Sequence, residues 1–239
     1  MFYVFFISSL QANPRLIYEP KRTRGNVLLV EAPDWDHQHY TVLIDQLKKN
    51  KFTLWSFSTQ EFESVHQAQV ELAALNLWLN KQPSAVIAHG FAGTILAPIL
   101  LTEPISPLAL VLIGTPLKPQ CPKVTIDSLE QSLQGDSVKV NSLIYGGFST
   151  SLHPQTSQDR LSWCNSEDSY TLKELPYPIL GFGSALDAVA PPETMRTSLG
   201  DNYIRIGPLS LIQEEPLHYE LIAHPAMLLL ISRWLKKEL

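Results

Sequence analysis

Cysteine is almost missing from this chain, which holds two in 239 residues, Cys121 and Cys164, in separate loop-like stretches. Neither belongs to a Cys-x-x-Cys pair or to the spacings of a zinc site, so a cysteine-held metal and a dithiol redox motif are excluded. A disulfide joining the two requires an oxidising compartment and a Cα–Cα approach within about 7 Å. Positive charge is scarce as well. The 18 Lys and Arg face 23 Asp and Glu, a formal net charge of −5, and the basic cluster Lys21-Arg22-Thr23-Arg24 reads as a solvated turn. A broad basic surface for nucleic acid is therefore absent. No stretch approaches the roughly 20 apolar residues of a spanning helix. Internal repeats and low-complexity segments are missing too.

What the chain does have is apolar content. Hydrophobic residues make up 45% of it, enough for one sizeable core, and its length reads as a single domain over 1–239. The first 25 residues admit two readings. Met1 to Ala12 (MFYVFFISSLQA) is either a signal-like apolar segment or a strand entering the turn-prone Gln11-Ala12-Asn13-Pro14 and pairing with Arg15–Tyr18 as a hairpin. A secretory signal should carry a positive n-region, and this one does not, which favours the hairpin and a cytoplasmic over an exported protein.

From residue 26 onward, short β-rich runs alternate with segments of helical period, which implies parallel strands joined by crossover helices. The strands are expected at Asn26–Glu31, Phe52–Phe57, Ser84–Ala88, Leu108–Ile113, Pro178–Phe182 and Tyr203–Ile206. The helices fall at Tyr40–Asn50, Glu61–Asn80, Ala92–Leu101, Pro192–Leu199 and Pro225–Lys237. One interval breaks the rhythm. Residues 116–176 are rich in Ser, Gln, Pro and Asp with only short apolar stretches such as Val140–Tyr145, and read as an inserted cap or lid suited to ligand or partner contact.

Within that alternation, Val86-Ile87-Ala88-His89-Gly90-Phe91-Ala92-Gly93 has the layout of a buried strand turning sharply into a helix. Strand, sharp turn, helix, strand, inserted cap, a strand ending in Gly183-Ser184-Ala185-Leu186-Asp187, then His218 and a terminal helix together resemble the α/β-hydrolase family over nearly the whole chain. The resemblance implies an α/β fold with a mostly parallel central sheet flanked by helices and a cap between about 116 and 176. The family's elbow, often written G-H-S-x-G-G, maps onto Ala88-His89-Gly90-Phe91-Ala92-Gly93, with Gly90 where the nucleophilic serine belongs. Asp187 matches the triad acid. His218 matches the triad base better than His224, which sits beside Pro225 at a helix start.

The order elbow, Asp, His is the family's order, but glycine has no hydroxyl to surrender to an imidazole. A second departure points the same way. The first oxyanion donor usually comes from a His-Gly loop, and here that loop reads Glu31-Ala32-Pro33-Asp34-Trp35-Asp36. Pro33 lacks an amide hydrogen, and Glu31, Asp34 and Asp36 bring negative charge to a place that should stabilise an anion. The positions Gly90, Asp187 and His218 are thus expected as a vestigial triad. Glu31, Trp35, His89, Phe91 and His218 are the candidate ligand-binding residues, and Trp35 either stacks on a ligand or plugs the vacated pocket. His37 and His39 with Asp34 and Asp36 have metal-ligand chemistry, but cap roles at a helix start explain them as well, and no metal or cofactor is assigned.

Three functions follow. The first is a non-catalytic protein of this fold acting as a binding or assembly module, with a protein or small apolar ligand at the cap and former active-site mouth. The second is an enzyme of lyase, oxygenase or weak hydrolase type in which the His218–Asp187 pair acts as a base without a serine. The third, an ordinary esterase with a displaced nucleophile, has only Ser184, which lies in no elbow.

Overall fold

The computed structural model describes residues 14–33, 35, 37–59, 64–102, 107–121, 123–134, 154–187, 189–208 and 216–239. Seven strands form one sheet in the order β1-β3-β2-β4-β5-β6-β7. They are β1 (Arg15–Tyr18), β2 (Asn26–Glu31), β3 (Thr53–Ser58), β4 (Ser84–His89), β5 (Ala109–Ile113), β6 (Ile179–Gly183) and β7 (Tyr203–Arg205). All neighbours run parallel except β1, which pairs antiparallel with β3. Each expected strand from residue 26 onward is present, with ends shifted by a residue or two. Arg15–Tyr18 is also a strand, but its partner is β3. The expected hairpin partner, Met1–Ala12, lies outside the described residues.

The period-two geometry of a strand sends alternate side chains to opposite faces, and this sorts the core into two layers. Val27, Leu29, Ala85, Ile87, Val111 and Ile113 face one layer. There they meet α1 (Thr41–Lys49) and the C-terminal helix α8 (Pro225–Glu238) through Leu43, Leu47, Ile231 and Leu235. Leu28, Val30, Val86, Ala88, Leu110 and Leu112 face the other, against α2 (Val65–Lys81), α3 (Phe91–Thr102) and α6 (Pro192–Leu199). With both faces covered, β4 and β5 are buried at every position, which is why they read as unbroken apolar runs. Each such Leu or Ile contributes about 1.5–3 kcal/mol of burial.

Two helices, α4 (Lys123–Leu133) and α5 (Pro154–Cys164), stand in the 116–176 insertion, which the sequence presents as irregular. They pack on each other and are joined by a Cys121–Cys164 disulfide with a Cα–Cα distance of 5.5 Å. Val140–Tyr145 lies outside the described residues. A short helix, α7 (His218–Leu221), precedes α8. No helix among the described residues is long and apolar enough to cross a membrane.

Candidate functional site

Parallel α/β sheets present their ligand sites beyond the carboxyl ends of the strands, at the point where the chain changes direction across the sheet. Here that point lies between β2 and β4, since β3 was laid on one side of β2 and β4 on the other. β2 ends in Glu31 and β4 in His89, followed at once by Gly90 and α3.

Gly90 is left-handed, with φ +55°, and its N–H donates to Ile113 O at 2.8 Å. A backbone of this kind suits glycine and turns the chain from strand to helix in one residue. Across from it stands His218, the first residue of α7, whose start is fixed by the Glu220 carboxylate accepting from the Leu217 N–H at 2.8 Å. A β-carbon built on Gly90 would stand 3.2 Å from His218 Nε2. On its other side the ring meets Asp187, with Nδ1 2.9 and 3.0 Å from the two carboxylate oxygens. The Val189 and Ala190 N–H groups donate to Asp187 Oδ1 at 2.9 and 2.8 Å, so backbone as well as imidazole holds this buried carboxylate. The fold therefore brings Gly90, Asp187 and His218 together from three separate parts of the chain.

Gly114, just after β5, makes this possible and is not singled out by the sequence. It is left-handed, φ +51°, and a β-carbon there would lie 2.7 Å from two ring atoms of His218 and 2.8 Å from Asp187 Oδ2. The imidazole and the carboxylate pack directly on its bare backbone.

On the opposite flank lies an aromatic cluster. His89 is fully buried and stacks on His218 with centroids 4.8 Å apart, while Trp35 packs edge-on to His89 at 4.5 Å and to His218 at 6.3 Å. Tyr40 ties this cluster to the loop after β2. Its hydroxyl accepts from the Ala32 N–H at 2.8 Å and lies 3.1 Å from His89 Nδ1. The Tyr40 hydroxyl thus joins the loop amide to the imidazole, and the direction of its bond to Nδ1 follows the tautomer of His89. His89 Nε2 and Trp35 Nε1 have no hydrogen-bond partner among the described residues. Burial holds the His89 pKa well below the ordinary histidine value, and charge on His218 pushes it the same way.

The remaining expected residues are placed as follows. Glu31 is buried, with a carboxylate oxygen 2.6 Å from His37 Nδ1. Phe91 is buried beneath the cap, with the Arg160 guanidinium 5.1 Å above its ring and Trp163 edge-on at 5.8 Å. Asp34 and Asp36 lie outside the described residues, and His39 packs edge-on to Trp35 at 5.4 Å. Among the described residues no three His, Cys, Asp or Glu side chains are grouped so as to hold a metal ion. His224 is a buried N-cap residue of α8, and Ser184 Oγ accepts from the Leu186 N–H. Trp35, His89 and His218 are each 2% exposed or less, so they pack on one another. Next to Phe91, under the cap, a cavity of about 10 Å³ remains, room for roughly one water.

No family model matches the chain, and no curated protein matches it in sequence. Solved structures do resemble it. A hydrolase from Oleispira antarctica superposes with a TM-score of 0.67 at 16% identity, over 95% of each chain. A monoacylglycerol lipase from Paleococcus ferrophilus gives 0.62 at 15%, over 95% of this chain and 100% of that one. MenH from S. aureus gives 0.61 at 12%, over 94% and 98%. The architecture is thus the α/β-hydrolase fold. At these identities the likeness extends to the fold alone, because such scaffolds host many unrelated activities.

Proposed function

We infer that this protein is a non-catalytic member of the α/β-hydrolase fold that serves as a binding or assembly module, engaging a small apolar ligand or a protein at the cap and the former active-site mouth. The bare α-carbon of Gly90 carries the reading. It lies at a strand-to-helix bend of the kind that exposes a nucleophile, and a side chain there would point straight at His218 Nε2. Covalent acyl transfer needs a nucleophilic side-chain atom at that point, and glycine has none.

Two further features support it. Pro33 has no amide hydrogen, and the preceding Ala32 N–H is already given to Tyr40, so this loop offers neither amide to a developing oxyanion. Trp35, His89 and His218 fill the space beside Gly90, which fits a plugged pocket better than an open one for substrate.

One observation favours a second reading. His218 is oriented by a carboxylate that is itself held by two backbone amides, the arrangement of a working base, so an enzyme using this pair on water or a substrate proton is the alternative. A single experiment separates the two. The parent and His218→Ala are treated with a fluorophosphonate probe and assayed on a panel of short-chain esters. The binding-module reading expects no covalent adduct by intact mass and the same background turnover in both proteins. An adduct in the parent, or turnover that disappears with His218→Ala, overturns it.

A further inference from the structure

At the amino ends of the parallel strands, across the sheet from the site beside Gly90, three parts of the chain meet. The turn between β1 and β2 is tied to the loop after α1, since the Arg24 N–H donates to Lys51 O at 2.9 Å and the Thr53 N–H to Gly25 O at 3.0 Å. The C-terminal helix closes on the same place. A β-carbon on Gly25 would stand 3.1 Å from the Leu239 side chain, and Gln46 and Asn50 each donate to Ser232 Oγ of α8 at 3.2 Å. Each part is basic. The turn carries Lys21, Arg22 and Arg24, the end of α1 and its loop carry Lys48, Lys49 and Lys51, and α8 runs out in Lys236 and Lys237. Together they hold eight of the chain's 18 Lys and Arg, in a protein whose formal net charge is −5. The sequence displays the first group alone, as a solvated turn, and the fold sets the other two beside it.

All of these cations but Lys48 are exposed. Ion pairs among the described residues reach only two of them, Lys48 to Asp45 at 3.5 Å and Lys237 to Glu238 at 3.2 Å. Helix dipoles explain the lysines that end α1 and α8, because cations are favoured there. They do not explain the turn or Lys51. Lys51 is left-handed, φ +63°, where glycine or asparagine would stand at less cost, so a cation is kept there against the preference of the backbone. Unpaired like charges gathered in one place repel, whereas a face that is merely soluble mixes both signs. Residues 1–12 then distinguish one polyanion from another. They lie outside the described residues, and their sequence, MFYVFFISSLQA, has no charged side chain and includes Phe2, Phe5, Phe6 and Ile7. A nucleic-acid backbone has little use for such a stretch. A bilayer interface accepts it, and reversible anchoring becomes stable where an apolar segment is joined to a polybasic patch. Only β1, four residues or roughly 13 Å, separates the stretch from the basic face, and twelve extended residues reach on the order of 40 Å.

We propose that this face docks on an anionic lipid bilayer, with the lysines and arginines at the headgroups and the aromatic residues near Met1 entering the interface. The cap and the mouth beside Gly90 then point away from the membrane, because they stand at the carboxyl ends of the strands. Docking of this kind is independent of what that mouth binds.

The test is sedimentation of the full chain with vesicles of phosphatidylcholine alone or with about 30% phosphatidylserine, at about 0.1 M salt. Binding to the mixed vesicles and none to phosphatidylcholine is expected, and it should vanish at about 1 M salt, where the screening length falls to about 3 Å. Arg24→Gln/Lys51→Gln should weaken binding roughly ten-fold or more, while Lys118→Gln/Lys123→Gln, which removes the same charge from the cap insertion, should leave it unchanged. Phe2→Ser/Phe5→Ser/Phe6→Ser should weaken it at least about ten-fold as well. A fluorescent DNA duplex at the same salt is the competing polyanion and should stay unbound. Thermal transitions like that of the parent are expected throughout, since the exchanged cations are at the surface. No binding to the mixed vesicles, or equal losses in the two charge variants, overturns the docking face. A phenylalanine variant that binds like the parent overturns the apolar contact, and a duplex bound as tightly as the vesicles overturns the choice of lipid.

Discussion

His218 Nε2 lies 3.2 Å from the point at which a β-carbon on Gly90 would stand. That is closer than side chains ordinarily settle, so the imidazole has come to rest against the bare backbone, and a new side chain would push it back by a few tenths of an ångström. Gly90→Ser is therefore expected to fold and yet not to become a competent esterase. The hydroxyl would arrive beside a base, but the neighbouring loop still has Pro33 and an Ala32 amide committed to Tyr40, and one missing oxyanion donor costs about a hundred- to a thousand-fold in rate. The check is kcat/KM on a p-nitrophenyl ester. A value above about 10⁴ M⁻¹s⁻¹, where ordinary enzymes begin, contradicts the expectation.

Gly114→Ala should be far more damaging than its size suggests. The new methyl would meet the His218 ring at 2.7 Å and Asp187 at 2.8 Å on a left-handed backbone, and neither partner is the loose end of a flexible chain. The loss is expected at about 3 kcal/mol, combining backbone strain with overpacking. Gly200→Ala supplies the comparison, since Gly200 is also left-handed, φ +58°, but has nothing within 4 Å of an added β-carbon. It should lose only about 1 kcal/mol. Urea unfolding of both variants reads the difference, and equal losses would show that the His218–Asp187 pair yields without cost.

Tyr40→Phe removes the hydroxyl that joins the Ala32 amide to His89 and leaves two buried polar groups without their partner. A loss of about 2 kcal/mol is expected, the ordinary penalty for stranded hydrogen-bonding groups. The proton distribution between the two His89 ring nitrogens should also change, which imidazole nitrogen shifts in an NMR spectrum report directly. Unchanged tautomer signals would mean that Tyr40 does not set the proton.

Acid should destabilise this protein through its buried imidazoles. Burial lowers the pKa of both His89 and His224, the neighbouring Glu220 partly offsetting the effect at His224. The unfolded chain takes up a proton near pH 6.5 and the folded one resists it, so stability is complete above that value and falls as pH drops below it. Each such histidine contributes a slope of up to about 1.4 kcal/mol per pH unit until its folded pKa is reached. Unfolding free energies measured from pH 7.5 to 5 should show the decline, and His89→Gln should flatten it. A parent whose stability is level across that range would refute the buried neutral ring.

Much of the fold was legible because its strands are short apolar runs between helical segments. Asn26–Glu31 and Pro192–Leu199 appear with the expected ends, and the other boundaries moved by a residue or two, except that the helix expected from Glu61 starts at Val65, with residues 60–63 outside the described ones. The cap helices were not legible. α5 reads PQTSQDRLSWC, and what it buries includes Ser157 and Arg160, so no apolar stripe of helical period announces it. In the site, Asp187 and His218 stand out by their place after a strand and before the last helix. Tyr40 and Gly114 do not, because a tyrosine that bridges a loop to a strand end, and a glycine needed for what packs on it, express relationships that exist only once distant segments are adjacent. Trp35 shows the same limit: its sequence position permits a ligand platform or a plug, and its burial against two imidazoles is a property of packing.

The margins of the sheet carry a consequence for how molecules of this protein meet one another. One border, Arg15–Tyr18, is four residues long, and the other, Tyr203–Arg205, is three and ends in a charged residue. A border strand of three residues gives a neighbouring chain that approaches edgewise at β7 little backbone length on which to template an added strand. Self-association that starts from so short a border is therefore expected to rest on side-chain surfaces more than on continued backbone ladders.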